Sequence, residues 1–308
     1  MARSRFHEFF RWQGEDKLFY FEGVSLGFYI GCVALAFVAL ILMWFFKHVI
    51  RNWFNSKKTH LRVFKQKGLF RLIGSIIILF MILRSLVLSI GRYPSEWEIL
   101  PFHLCRLMLV FTALSLIFDA PQLVKYFGAI GMLGAIVALV KPDLSFAGVS
   151  ASGAYRVGLD SIYFYDYILI HTFLLLGIAA LFIVRKIQFR AKDLLITLIF
   201  FTLIAIVMFF VNWVTFVYAP DNWKTNYFFL GKDEVNTQKD VFGPLSHWPY
   251  NLLSWTFAGW VLATIASMIW MLQDKVYFNR INGKWVFKIQ KSNRWKEFIS
   301  SFKNKVNK

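Results

Sequence analysis

The sequence predicts an all-α polytopic membrane protein, a bundle of about seven transmembrane helices with the N-terminus outside and the C-terminus cytoplasmic. Three observations predict it. Of 308 residues, 58% are hydrophobic and the mean hydropathy is +0.54, more apolar surface than a soluble domain of this length can hide. Seven stretches are each long and apolar enough to span a bilayer. The Lys and Arg residues collect in alternate connections between them.

Residues 1–272 form the expected membrane domain, with spans at about 24–46, 69–90, 100–118, 124–140, 162–184, 194–218 and 250–272. The N-terminal Met1–Glu22 lacks the apolar core of a cleavable signal peptide. Its 6–21 stretch, with Phe6, Phe9, Phe10, Trp12, Phe19 and Tyr20, is expected in the outer interface. The first span holds Cys32 among Gly31, Val33 and Ala34, where a cysteine is a packing residue. The second carries Arg84 near its outer end.

The third span opens on Leu100–Arg106, reading Leu-Pro-Phe-His-Leu-Cys-Arg, with Pro101 expected in the first helical turn. The fourth carries Gly128, Gly131 and Gly134, a spacing suited to close helix packing. Asp143 closes it. The fifth holds Asp166 and His171, and the sixth holds Asn212 late in its course. Residues 273–308 are read as a basic cytoplasmic tail. Within it Val276–Ile289 alternates apolar and polar residues around Asn282-Gly283, a hairpin signal. Lys291–Lys308, with Trp295, Phe298 and Phe302, reads as a solvated positive anchor.

Charge sets the orientation. The 47–68 and 185–193 connections, the tail and Lys125 hold 22 basic residues, against 10 on the other side. The richer side is cytoplasmic by the positive-inside rule. This predicts a multi-pass protein of the cell membrane. The net charge of +18 lies between and after apolar runs, so anionic lipid, not nucleic acid, is the expected partner of the basic tail. Oligomeric state is left open.

The polar groups inside the spans are costly in lipid and concentrate in the outer half of the bundle. His103, Cys105 and Arg106 fall roughly 5–10 Å below the outer surface, and His171 about 13 Å below it. On a regular helix His103 and Cys105 point about 200° apart. Cys105 is therefore expected to find a base on another helix, with His171 the candidate. His103 and Arg106 share a face and would address carboxylate or phosphate oxygens, or Asp143. A cysteine beside a cation and a histidine can form a thioester with an acyl donor. The bland alternative is that Cys105 packs and the histidines bond neighbouring helices.

At these residues the chain resembles the YwaF family of bacterial integral membrane proteins, related to a eukaryotic transmembrane acyltransferase that makes polyunsaturated ether phospholipids. Three patches carry the likeness: Leu100–Arg106; Tyr126-Phe127-Gly128 through Gly131 and Ala138-Leu139 to Pro142-Asp143; and Asn226-Tyr227-Phe228-Phe229-Leu230 followed by Trp248-Pro249-Tyr250. The likeness covers about residues 70–270. It implies a polytopic helical fold in which Cys105 and His171 match the eukaryotic enzyme's catalytic pair.

Three functions stay open on this reading. In a lipid acyltransferase or lipase-like enzyme, Cys105 attacks an acyl ester and His171 serves as base and then acid. His103, Arg106 and Arg84 would then hold phosphate or stabilise the oxyanion, with Asp143, Asn226 and Tyr227 orienting the headgroup. The partner is a membrane lipid, through its acyl chain and phosphate headgroup, and no cofactor or metal is called for. The sequence has no Gly-x-Ser-x-Gly elbow and no His-x-x-x-His pair, which argues against serine hydrolases and zinc proteases. A transporter with the same polar cluster and a non-catalytic membrane scaffold are the alternatives. A scaffold has no need of costly polar groups gathered at one depth.

Overall fold

A computed structural model describes residues 9–11, 18–91, 93, 95–144, 149–232 and 243–303. Among them seven helices are long and apolar enough to cross a membrane. Their α-helical parts are α1 (Gly23–Ser56), α2 (Gln66–Ile90), α3 (Leu104–Ile117), α4 (Val124–Val140), α5 (Ile162–Arg185), α6 (Ala191–Tyr218) and α7 (Asn251–Met271), the third, fourth and seventh spans including adjoining 3-10 turns as Glu96–Ile117, Pro121–Val140 and Asn251–Lys275. The chain belongs in a membrane as a multi-pass helical protein. Much of the expected interfacial stretch 6–21, including Phe6 and Trp12, and residues 304–308 of the tail lie outside the described residues.

Connections gather at two ends. At one end, Phe21 N donates to Tyr155 O at 2.6 Å and Tyr227 OH donates to Trp97 O at 2.7 Å. This end carries the α2–α3, α4–α5 and α6–α7 connections. At the other, the basic end, Arg51 Nε donates to Ile183 O at 2.6 Å and Arg294 reaches Ile187 O at 3.4 Å. Lys67 and Arg185 both meet Asp119 there, at 2.5 and 4.0 Å.

α5 is the axis of the bundle. Fourteen of its 24 residues are buried, and it packs on both α1 and α4. The glycine stripe of α4 permits that approach. A Cβ at Gly128 would stand 2.9 Å from the Ile178 side chain, and one at Gly131 would meet Ile178 at 3.0 Å and Met108 at 3.2 Å. Close packing in lipid depends on such small residues, because lipid tails are as apolar as leucine side chains.

The third segment departs from the sequence expectation. Glu96–Ile99 forms a 3-10 turn, and α3 begins only at Leu104. Pro101 precedes the helix and is not in its first turn. Its ring disfavours helical backbone at the residue before it, and Leu100 is extended at φ −81, ψ 134. His103 is extended as well (φ −65, ψ 145) and forms the N-cap of α3.

After α7 the chain forms an antiparallel hairpin of β1 (Val276–Ile281) and β2 (Lys284–Ile289), then α8 (Asn293–Lys303). Asn282 and Gly283 have φ of 49° and 80°, the two positive values a tight two-residue hairpin turn requires. Lys47 on α1 is fully buried beneath the hairpin and donates to Val276 O at 2.6 Å and Trp44 O at 2.8 Å.

Candidate active site

A cavity of about 330 Å³ lies toward the end opposite the basic one and is lined from α2 to α7 and their connections. Its lining is mainly apolar, with a polar group at its head. Cys105, in the first turn of α3, is 6% exposed and faces it. The thiol also rests on α4, where a Cβ built on Gly134 would lie 3.2 Å from Sγ.

His171 lines the same cavity from α5. Its Nδ1 lies 2.7 Å from the Tyr167 carbonyl one turn earlier. A carbonyl only accepts, so Nδ1 carries the proton and Nε2 keeps the lone pair a base needs. Tyr167 is in turn fixed by donating its hydroxyl to Ala138 O at 2.8 Å. Cys105 and His171 come from different helices because α3 and α5 both border the cavity.

His103 also lines this cavity. It does so from the N-cap position and not from within α3. The helical-wheel separation of His103 and Cys105 applies only inside a helix, and His103 stands just before one. Its ring meets Phe229 edge-on at 5.0 Å, and its Nδ1 is buried with no hydrogen-bond partner among the described residues.

The two arginines form a cross-linked ionic quartet. Arg84 Nε reaches Asp166 Oδ2 at 3.0 Å, and Arg84 Nη2 reaches Glu98 Oε2 at 3.3 Å. Arg106 reaches Glu98 at 2.6 Å and Asp166 at 3.4 Å. Arg84 also donates to the Glu98 carbonyl at 2.8 Å. Two cations and two carboxylates cancel formally, which is how charge survives in a medium of low dielectric. The quartet ties α2, the 3-10 turn, α3 and α5 together at the cavity head. With its charge taken by Glu98 and Asp166, Arg106 offers the thiol little net positive field, so a proton acceptor such as His171 Nε2 matters more.

Asp143 and Asn226 also border the cavity. Asp143 sits just beyond α4, its backbone N–H 3.3 Å from Tyr167 OH. Asn226 Oδ1 accepts from Gly231 N at 2.9 Å. Tyr227 does not line the cavity. Its side chain is buried against Trp97 and Phe102, and its hydroxyl is used on Trp97 O. Asn212 grips the Tyr227 backbone from α6, donating to its carbonyl and accepting from its N–H, both at 2.9 Å. Tyr227 thus positions the 224–231 connection over the site.

Sequence reasoning missed two members. Glu98 lies just before the apolar run that begins near residue 100, and the sequence signal for it is two intramembrane arginines against one Asp166. Thr256 on α7 lines the cavity with a buried Oγ1 that has no partner among the described residues. A threonine in an apolar run carries no signal of its own. Among the described residues no group of three or more His, Cys, Asp or Glu could hold a metal ion.

The model of the TMEM164 family matches residues 22–272 of the chain, the whole helical bundle with its cavity. No curated protein and no solved structure matches.

Proposed function

We propose that this chain, which belongs to the TMEM164 family, is a lipid acyltransferase in which Cys105 is the nucleophile and His171 the general base. The observation that carries the reading is that a buried thiol and an imidazole of fixed tautomer line one largely apolar cavity. The resemblance of its motifs to the YwaF family and the ether-phospholipid acyltransferase supports the same chemistry.

The steps balance without a cofactor. His171 Nε2 takes the thiol proton as Cys105 Sγ attacks the ester carbonyl of a phospholipid. The carbon–oxygen bond breaks, His171 returns the proton to the leaving lysolipid hydroxyl, and a Cys105 thioester remains. The hydroxyl of a second lysolipid then attacks the thioester while His171 takes its proton, and the thiol is regenerated. His103 and Asn226 border the cavity where an oxyanion and glycerol oxygens need donors. In this reading Arg84 and Arg106 hold the head of the site rigid, and phosphate would meet them only by competing with Glu98 and Asp166.

The cavity end faces outward in this proposal and the basic end faces the cytoplasm of a cell-membrane protein, following the positive-inside rule. The hairpin and α8 then lie against anionic lipid. One hairpin face carries Phe278, Trp285 and Phe287 against Phe45 and Phe46 of α1, while Lys284 and Lys288 share the opposite face. Such a ribbon suits an interface, apolar side down and lysines toward headgroups.

The test is acyl transfer by purified protein supplied with phospholipid donor and labelled lysophospholipid. Turnover that falls at least 100-fold in both Cys105→Ala and His171→Ala supports the assignment. Unchanged turnover in Cys105→Ala sinks it.

A further inference from the structure

The cavity is graded along the bundle axis, and its grading matches an amphiphile. At the top, Lys141 and Asp143 border it just beyond α4. Lys141 makes no ion pair among the described residues. Seven residues lower on α4, about 10 Å at 1.5 Å per residue, Gly134 marks the level of Cys105 Sγ. Thr256, five residues into α7, falls about 8 Å below the start of that helix. Its buried Oγ1 and His103 Nδ1 both lack partners among the described residues, so the lining offers two groups that could meet hydrogen-bonding atoms. A buried polar atom left unpaired costs about 1–3 kcal/mol. Deeper still, Ile130, Phe201 and Leu262 line the cavity with hydrocarbon.

Two of the lining residues also reach the outer surface. Val137 on α4 is 57% exposed and Leu262 on α7 is 43% exposed. Both lie within membrane-spanning helices, so their open surface faces lipid. A site reached from water alone would have no apolar margin of this kind.

We infer that the cavity opens sideways into the bilayer between α4 and α7 and admits a membrane glycerophospholipid through that portal. The phosphate stays at Lys141, the ester group reaches Thr256, His103 and Cys105, and one acyl chain runs past Val137 toward Leu262. The roughly 10 Å of helix rise between Lys141 and the Cys105 level is covered by the Lys141 side chain together with the glycerol segment from phosphate to acyl ester. This inference rests on the lipid-enzyme reading for what happens to the ester, but binding is separable from chemistry.

The test uses the full chain in nanodiscs containing phosphatidylcholine with a diazirine in one acyl chain. After irradiation, adducts are mapped by mass spectrometry. Adducts are expected on α4 and α7 at equal yield in wild type and Cys105→Ser. The double variant Val137→Trp/Leu262→Trp should lower that yield at least fivefold. Leu169→Trp, an exposed residue of α5 outside the cavity lining, should leave it unchanged and controls for bulk at the lipid surface. Lys141→Gln should reduce labelling by the phospholipid probe about threefold while sparing a diacylglycerol probe. Labelling that ignores the double variant, or an equal Lys141→Gln loss with both probes, overturns the proposal. Labelling that persists without any acyl transfer leaves the portal standing and removes the catalytic reading instead.

Discussion

Gly134 and Cys105 are in register across the α3–α4 contact, with the space for a Cβ at 134 ending 3.2 Å from the thiol sulfur. That is tighter than ordinary van der Waals contact, so an alanine there must displace the sulfur by a few tenths of an ångström. A displacement of this order changes attack geometry more than it changes folding. Gly134→Ala is therefore expected to lower acyl transfer about tenfold while the protein keeps its thermal midpoint within a few degrees. Gly131→Ala should show the opposite pattern, because its Cβ would press on Ile178 and Met108 in the helix core. Paired activity and melting curves in detergent distinguish the two.

The ionic quartet predicts a non-additive pattern. Removing one member leaves an uncompensated buried charge, worth about 3–5 kcal/mol of stability. Arg84→Met or Asp166→Leu alone should thus destabilise strongly. The double variant Arg84→Met/Asp166→Leu leaves Arg106 opposite Glu98 and should recover part of the loss. Thermal unfolding of the two singles and the double checks it, and strict additivity would contradict the coupling seen at 3.0 Å between Arg84 and Asp166.

Asn212 predicts a donor-specific effect. Its amide bonds both backbone groups of Tyr227, and its Oδ1 also accepts from Thr225 Oγ1 at 2.8 Å. Asn212→Asp keeps the acceptor but sets a carboxylate oxygen against the Tyr227 carbonyl. We expect faster amide exchange confined to residues 224–231 and a rise in KM, measured by hydrogen exchange and by titration of acceptor lipid.

At the basic end, Asp274 accepts the backbone N–H of Asn293 at 3.0 Å and of Arg294 at 3.2 Å, capping α8. Asp274→Ala should cost about 1 kcal/mol of local stability, visible as faster exchange in 293–303. Burial and the neighbouring Arg51 push the Arg294 guanidinium down to about 10. Lys284→Glu/Lys288→Glu should remove the slower hairpin exchange that phosphatidylglycerol nanodiscs give over phosphatidylcholine ones. Exchange that is indifferent to lipid charge in the parent chain would remove the anionic-lipid assignment.

Most of the bundle was legible in the sequence because its signal is additive. Long apolar runs declare spans residue by residue, and the spacing of Gly128, Gly131 and Gly134 declared a packing face. The site was legible only as a set of costly residues. Its geometry depends on a few backbone decisions, above all that α3 begins only at Leu104, after Pro101, which leaves His103 outside the helix as its N-cap. The charge count of Arg84 and Arg106 against Asp166 signals a missing carboxylate, but only the fold shows that Glu98 supplies it. Tyr227, expected to orient the headgroup, uses its hydroxyl on Trp97 O, a long-range contact no local pattern encodes.

The most direct measurement is the intact mass of the protein quenched during turnover with a phospholipid donor. A thioester on Cys105 is predicted, seen as the mass of one acyl group that is cleaved by hydroxylamine, absent in Cys105→Ala and at least 100-fold slower to form in His171→Ala. Acyl transfer at wild-type rate by Cys105→Ala, or an acyl group mapped to another residue, would contradict it.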